Sequence, residues 1–238
     1  MKELPKVLVF TVIYEGKDYC LDEFVKHAQQ LTYPNYRHVF VDNSNTEDYY
    51  HKLKEKLEPL GIDVYHVERG NSSREALARS QNFARQIAID EGYDYMLSLE
   101  SDIMCPPETI QALMAWGRDV VTGLYLIGNE NVQVPCITIL KWNNSLGAYG
   151  SRLLDPEEFN DYLNKGLKPV AAGGFGVCLM SRHAFEPQAF YYDSRDGLMG
   201  HSDIYFFNDM HRRKIQTYVD THCICRHENS NWDEVEDR

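Results

Sequence analysis

The apolar positions in the first half of the chain fall into two alternating patterns. Val7 to Val12 reads VLVFTV, a run rich in β-branched residues that predicts a strand. A helix is expected from Tyr19 to Leu31, with Leu21, Phe24, Val25 and Ala28 on one face, and Tyr33-Pro34-Asn35 ends it. Arg37 to Val41 predicts a second strand, closed by the short polar residues Asp42-Asn43-Ser44-Asn45, and a helix follows from about Glu47 to Leu57 with Gly61 after it. Ile62 to Val67 predicts a third strand. Ser72-Ser73-Arg74-Glu75 then fits a capping box, in which Ser72 caps a helix and Glu75 reaches back to its backbone. Ala76, Ser80, Phe83, Ala84, Ile87 and Ala88 share a face of that helix, and Glu91-Gly92 stops it. Tyr95 to Leu99 predicts the fourth strand, ending at Glu100-Ser101-Asp102, and Pro106-Pro107 opens a short helix to Trp116.

Four successive strand–helix units predict an α/β fold: a single Rossmann-like domain with a mostly parallel central sheet flanked by helices. Ligands of such sheets bind outside the carboxyl ends of the strands. The residues that matter most are therefore Tyr14 and Glu15, Asp42 and Asn43, Arg69 and Gly70, and Glu100 to Asp102. The second half is less regular. It offers a strand from Val120 to Leu126, a Gly/Asn-rich stretch from Asn143 to Ser151, a short helix started by Asp155-Pro156, the segment GGFGVCLMSR, and a final helix and strand.

Composition narrows the class. The 238 residues suit one sizeable domain, and 43% hydrophobic with 25% charged residues argues for a packed core rather than disorder. With 24 Lys plus Arg against 36 Asp plus Glu, the net charge of -12 disfavours simple attraction to nucleic acid or anionic lipid. An anionic ligand needs local positive charge. No apolar run approaches the roughly 18 residues of a spanning helix, and MKELPKVLVF lacks the pattern of a signal peptide. Six dilute Cys residues do not make a disulfide scaffold, so reduced thiols and a cytoplasmic location are expected.

Three groups of residues carry possible chemistry. Glu100 and Asp102 place two carboxylates at a strand end, where hard oxygen ligands can hold a small divalent ion that phosphate oxygens complete. Cys223, Cys225 and His227 share one face of a predicted terminal strand, but residues two apart on a straight strand sit roughly 6 to 7 Å apart. That spacing disfavours structural zinc. Asp203 lies near the start of a helix carrying Ile204, Phe206, Phe207 and Met210, so its carboxylate is held on a rigid element. A plain helix-dipole acid is the simpler explanation of Asp203 taken alone.

Taken together in order, VLVFTVIYEG, VFVDNSN, REALARSQNFAR, YDYMLSLESDIMCPPETI, DVVTGLYL, GGFGVCLMSR, HSDIYFF and CICRHEN resemble the nucleotide-sugar-dependent glycosyltransferases of the family 2 type, which have the GT-A fold. The resemblance covers nearly the whole chain. It implies that 1–127 form a nucleotide-sugar-binding half with a DxD-like motif, and 128–238 the acceptor-binding and catalytic half of the same domain. It implies that Asp42 holds the nucleotide base, that Thr11 and Tyr14 line the same pocket, and that Glu100, Ser101 and Asp102 hold metal and diphosphate. His227 completes the metal site, with Mn(II) or Mg(II) as cofactor, and Asp203 is the base that activates the acceptor. Three details depart from the family pattern: Glu100 stands for Asp, Ser202 stands for an acid, and the first loop lacks the usual Pro and Asn around its Tyr.

The mechanism that follows is inversion. A divalent ion stabilises the leaving diphosphate, while Asp203 takes the proton of an acceptor hydroxyl attacking from the opposite face. Arg69, Arg79 and Arg226 are candidate phosphate contacts, and Gly173-Gly174 fits a close backbone approach. The QxxRW pattern of processive synthases is absent, so a non-processive enzyme is expected. The acceptor, whether glycan, small molecule, protein or less favoured nucleic acid, is sought in Asn143 to Pro169 and in Phe190 to Gly200. Two rivals stand beside this reading: a non-catalytic nucleotide-sugar-binding module, and a nucleotidyltransferase of similar fold. The second needs a Gly-rich loop with a basic residue after the first strand, which Tyr14-Glu15-Gly16 does not supply.

Overall fold

Val7–Ile13 forms strand β1, and nearly every one of its residues is buried, as expected of a β-branched run covered on both faces of a sheet. A computed structural model of the chain describes residues 3–128, 133–143, 148–193 and 200–228. After β1 come a 3₁₀ turn at Glu15–Cys20, α1 (Leu21–Ala28), β2 (Tyr36–Asp42), α2 (Asp48–Leu57), β3 (Asp63–His66), α3 (Ser73–Asp90), β4 (Tyr95–Leu99), β5 (Ile103–Met104) and α4 (Thr109–Ala115). Next are β6 (Val120–Leu124), β7 (Leu126–Gly128), β8 (Gln133–Pro135), β9 (Ile137–Asn143), β10 (Ala148–Leu153) and α5 (Pro156–Phe159). The chain then adds β11 (Leu167–Val170), β12 (Ala172–Gly173), β13 (Val177–Ser181), α6 (Arg182–Phe185), α7 (Ser202–Arg212), β14 (Thr217–Ile224) and β15 (Arg226–His227).

The central sheet has 8 strands in the order β11-β14-β6-β13-β4-β1-β2-β3. Strands β3, β2, β1 and β4 are mutually parallel, and β6 with β14 runs the same way. Only β11 and β13 run against them. The expected single α/β domain with a mostly parallel sheet is therefore present, with the antiparallel β13 inserted between two parallel blocks. A separate 3-stranded sheet, β10-β9-β12, occupies the part of the second half that reads as irregular in sequence. Of the Gly/Asn-rich stretch, 144–147 lie outside the described residues, as do 194–199 of the proposed acceptor segment. No helix among the described residues is long and apolar enough to cross a membrane.

Local deviations have identifiable causes. The expected helix from Tyr19 is 3₁₀ until Cys20, whose thiol donates to the carbonyls of Lys17 and Ser101 at 3.2 Å each. Ser72 caps α3 as expected, accepting from Glu75 N at 3.1 Å, but the Glu75 carboxylate accepts from Asn71 N at 2.9 Å rather than from the Ser72 backbone. The predicted strand from Val120 divides at Tyr125, which leaves the sheet and buries its ring. On α7, Ile204 is 45% exposed and Tyr205 takes its place on the buried face, because the helical repeat aligns 202, 206 and 210 with 205 rather than 204.

A buried polar chain ties the parallel strands together. Thr11 Oγ1 donates to Leu99 O at 2.8 Å and therefore accepts from His38 Nε2 at 2.9 Å, linking β1, β4 and β2. Burial pushes the His38 imidazole from its ordinary 6.5 down to about 3. Between those values the unfolded chain binds the proton and the folded chain does not, so stability is complete above pH 6.5 and falls as the pH drops toward 3. Acidification from pH 7 to pH 4 is expected to remove on the order of 3 kcal/mol through this residue. Denaturant titrations across that range check this, and His38→Gln, which has no titrating ring, should show a shallower dependence.

Candidate active site

The carboxyl ends of β1 and β4 open into a cavity of about 390 Å³, which residues from both halves of the chain enclose. Its acidic floor comes from the turn after β4. Glu100 is half-buried, while Ser101 and Asp102 are buried. The strand pair β5–β15 then explains how residues far apart in sequence meet. His227 pairs with Ile103, and Glu228 N donates to Asp102 O at 2.8 Å, which brings the end of the described chain onto the acidic turn. His227 Nδ1 is 2.9 Å from Leu126 O, and its Nε2 faces Asp102 Oδ2 at 3.4 Å.

The 3₁₀ turn after β1 supplies the main cation. Lys17 Nζ lies 2.5 Å from the same Asp102 Oδ2. The Cys20 thiol, bonded to both the Lys17 and Ser101 carbonyls, fastens this turn against the acidic one. Burial works against the Lys17 charge, but Asp102 overrides it and holds the ammonium well above the ordinary lysine value. His227 follows the same logic: burial opposes protonation, and Asp102 raises the imidazole nonetheless. Burial alone would raise Asp102, yet His227 and Lys17 bring it below the usual carboxylate range. Glu100, by contrast, is pushed up to about 7 by burial and by the neighbouring Asp102 charge.

A second group of contacts borders the cavity beside β2 and α3. The Arg69 guanidinium lies 4.9 Å from the centre of the Tyr14 ring, and its Nη1 donates to Asn43 Oδ1 at 3.0 Å. A planar cation over an aromatic ring and an amide is a fitting surface for a flat, polar heterocycle. Across the cavity, Asp203 projects from the first turn of α7. That helix is anchored by Ser202, whose hydroxyl donates to Gln81 Oε1 on α3, and by its buried face of Tyr205, Phe206, Phe207 and Met210. Ile204 N donates to Asp203 Oδ1 at 2.8 Å, and burial raises the Asp203 carboxyl above its ordinary value. Gly174 completes the wall. A Cβ there would overlap the Tyr125 hydroxyl and come within 2.7 Å of Cys136 Sγ, so the close packing demands glycine.

Of the residues singled out in the sequence, Tyr14, Glu100, Ser101, Asp102, His227 and Asp203 line this one cavity. Others do not. Thr11 is fully buried within the sheet. Asp42 is fully buried at the end of β2, with Oδ1 accepting from the Ser44 hydroxyl at 2.6 Å and Oδ2 2.7 Å from His66 Nδ1. Arg79 pairs with Glu75 at 2.6 Å, away from the cavity. Arg226 is held by Glu23 and Glu228. Cys223 and Cys225 pack in the core, while His227 turns toward Asp102. Sequence reading missed Lys17, which stands one position beyond the loop residues it weighed; it does put a basic residue in that loop.

The acidic turn was expected to hold a divalent ion. Among the described residues, no group of three or more His, Cys, Asp or Glu is arranged to hold one. The donor geometry explains why. The Asp102 oxygen that would ligate the ion carries the Lys17 ammonium, and the His227 nitrogen that would ligate it points at that same oxygen. A magnesium-type ion needs contacts of about 2.1 Å, which the ammonium's position precludes. The residues as placed do not fit a metal.

No family model matches the sequence, and no curated protein sequence matches it either. Solved structures do. The chain is similar to GalNAc-T7 crystallised with UDP, GalNAc and Mn2+, with a TM-score of 0.65 and 16% identity over 95% of this chain and 44% of that one. It thus spans less than half the length of the GalNAc-T7 chain. It is also similar to A197 from STIV, with a TM-score of 0.51 and 16% identity over 94% of this chain and 85% of that one. At that identity the likeness establishes the fold, a GT-A-like Rossmann-type domain as found in glycosyltransferases.

Proposed function

We propose that the chain is a non-processive glycosyltransferase of the family 2 type, moving a sugar from a nucleoside diphosphate sugar to an acceptor hydroxyl with inversion. One observation carries the reading: on a fold of the glycosyltransferase kind, a cationic and aromatic rim suited to a nucleotide shares a single cavity with a carboxylate held on a rigid helix. The half spanning 1–127 supplies the donor side through Tyr14, Lys17, Asn43, Arg69 and the acidic turn. The half spanning 128–238 supplies Asp203 and the acceptor side.

Asp203 acts as the base. A half-buried carboxylate with a raised pKa is a stronger proton acceptor than a solvated one. As the acceptor oxygen bonds to the anomeric carbon, its proton passes to Asp203, and the bond from that carbon to the diphosphate oxygen breaks on the opposite face. The nucleoside diphosphate leaves with the electron pair. The GalNAc-T7 structure contains Mn2+, and Mn(II) or Mg(II) is the usual counter-ion for such a leaving group. The donors around Asp102, as the protein arranges them, do not fit such an ion.

The presence of Lys17 in the loop after β1 gives the nucleotidyltransferase reading more than the sequence allowed it. Products separate the two: a transferase releases nucleoside diphosphate, whereas a nucleotidyltransferase releases pyrophosphate from a nucleoside triphosphate. Incubation with a panel of nucleotide sugars, read by chromatography of the nucleotides, is expected to give nucleoside diphosphate from at least one donor. Pyrophosphate from a triphosphate with no diphosphate from any sugar donor would favour the rival, and no turnover of either class would favour a binding module.

A further inference from the structure

We propose that Lys17 is the resident cation of this site, taking the position and charge role of a divalent ion and binding the donor diphosphate directly. The inference rests on the nucleotide-sugar reading above and concerns how that site meets the donor's charge. Three observations carry it. Lys17 Nζ sits at 2.5 Å on Asp102, the carboxylate that the resemblance assigns to metal and diphosphate. The turn bearing Lys17 is built against the acidic turn, since the buried Cys20 thiol bonds both the Lys17 and the Ser101 carbonyls. Tyr19, two residues on, borders the ammonium with its ring centre 6.0 Å away and donates its hydroxyl to Glu228 O, tying the turn to the segment that bears His227.

The chemistry is consistent with that placement. A nucleoside diphosphate sugar brings an ionised diphosphate into a protein whose net charge is already -12. Glu100 and Asp203 border the same cavity, so the phosphates need a cation in place before they enter. An ammonium carries three N–H donors and can bridge a carboxylate and a phosphate oxygen as an ion would. Lys17 and a divalent ion exclude each other, because two cations within about 4 Å repel strongly in a partly buried site.

Calorimetric titration with UDP, GDP, ADP, CDP and dTDP, in EDTA and again with manganese, tests this. The wild-type protein is expected to bind at least one of them in EDTA, with affinity within about threefold of that in manganese. Lys17→Met should lose roughly 30-fold or more in EDTA. Manganese should restore much of that loss, because removing the ammonium opens Asp102 and His227 to an ion. Lys17→Arg should retain binding in EDTA. Wild-type binding that appears only with manganese overturns the inference and leaves the transferase reading standing, and that arm needs no variant. A folded wild-type protein that binds no nucleoside diphosphate in either condition overturns both.

Discussion

Asp203→Asn is expected to lower the rate of sugar transfer by about a thousandfold, within the range that loss of a general base produces. The substitution removes the proton acceptor and little else. Asn keeps the shape of the side chain, and its Oδ1 can still accept from Ile204 N, the contact that holds Asp203 on α7. The helix itself is anchored independently by the Ser202–Gln81 hydrogen bond and by the buried aromatic face around Phe206. Nucleoside diphosphate affinity should therefore stay within about threefold of wild type, and the melting temperature should move little. Steady-state rates with calorimetric affinities on the same preparation check both halves. A variant that still transfers at near wild-type rate removes Asp203 from the role of base; one that loses binding in parallel makes it a donor contact.

Asp42→Ala is expected to cost about 3 kcal/mol of folding free energy, because it leaves buried polar partners without their acceptor. Asp42 has no exposed surface, and its two oxygens serve Ser44 and His66. Ser44 in turn accepts Glu15 N at 3.0 Å, so the carboxylate orients the start of the turn that carries Lys17. Donor binding should weaken along with stability, although Asp42 does not line the cavity. Asp42→Asn, which can still accept from Ser44, should recover part of the stability. Denaturant unfolding of the two variants beside nucleotide titration separates the possibilities. An Ala variant of nearly wild-type stability that binds no nucleotide would mean Asp42 reads the base itself, as the family resemblance implies.

The first half of the fold was legible because each strand carries its own apolar run and ends in a polar turn, and because parallel strand–helix units admit few arrangements. Tyr95 to Leu99 followed by Glu100-Ser101-Asp102 is of this kind, and so is Ser72 capping α3. The second half was not. GVCLMS is apolar on both faces and pairs equally well in either direction, so nothing local reveals that β13 runs antiparallel between β4 and β6. The approach of His227 to Asp102 depends on the two-residue pairing of β5 with β15, too short to leave a periodic signal. Thr11 entered the pocket only through the family resemblance, and its hydroxyl serves the backbone of β4 and the ring of His38. Lys17 gave no signal because a lysine in a polar loop is ordinarily a solvated one, and its contact with Asp102 spans 85 residues of chain.

One cavity, at the carboxyl ends of β1 and β4, is proposed to receive the nucleoside diphosphate sugar. A crystal structure of the protein with the tightest-binding nucleoside diphosphate checks this. The expected result places a phosphate oxygen within hydrogen-bond distance of Lys17 Nζ, the base against Tyr14, Asn43 and Arg69, and Asp203 facing the open side of the diphosphate. Nucleotide bound in another depression, such as the one between Tyr162, Pro169 and His211, with the Lys17 cavity left empty, would rule this cavity out as the donor site.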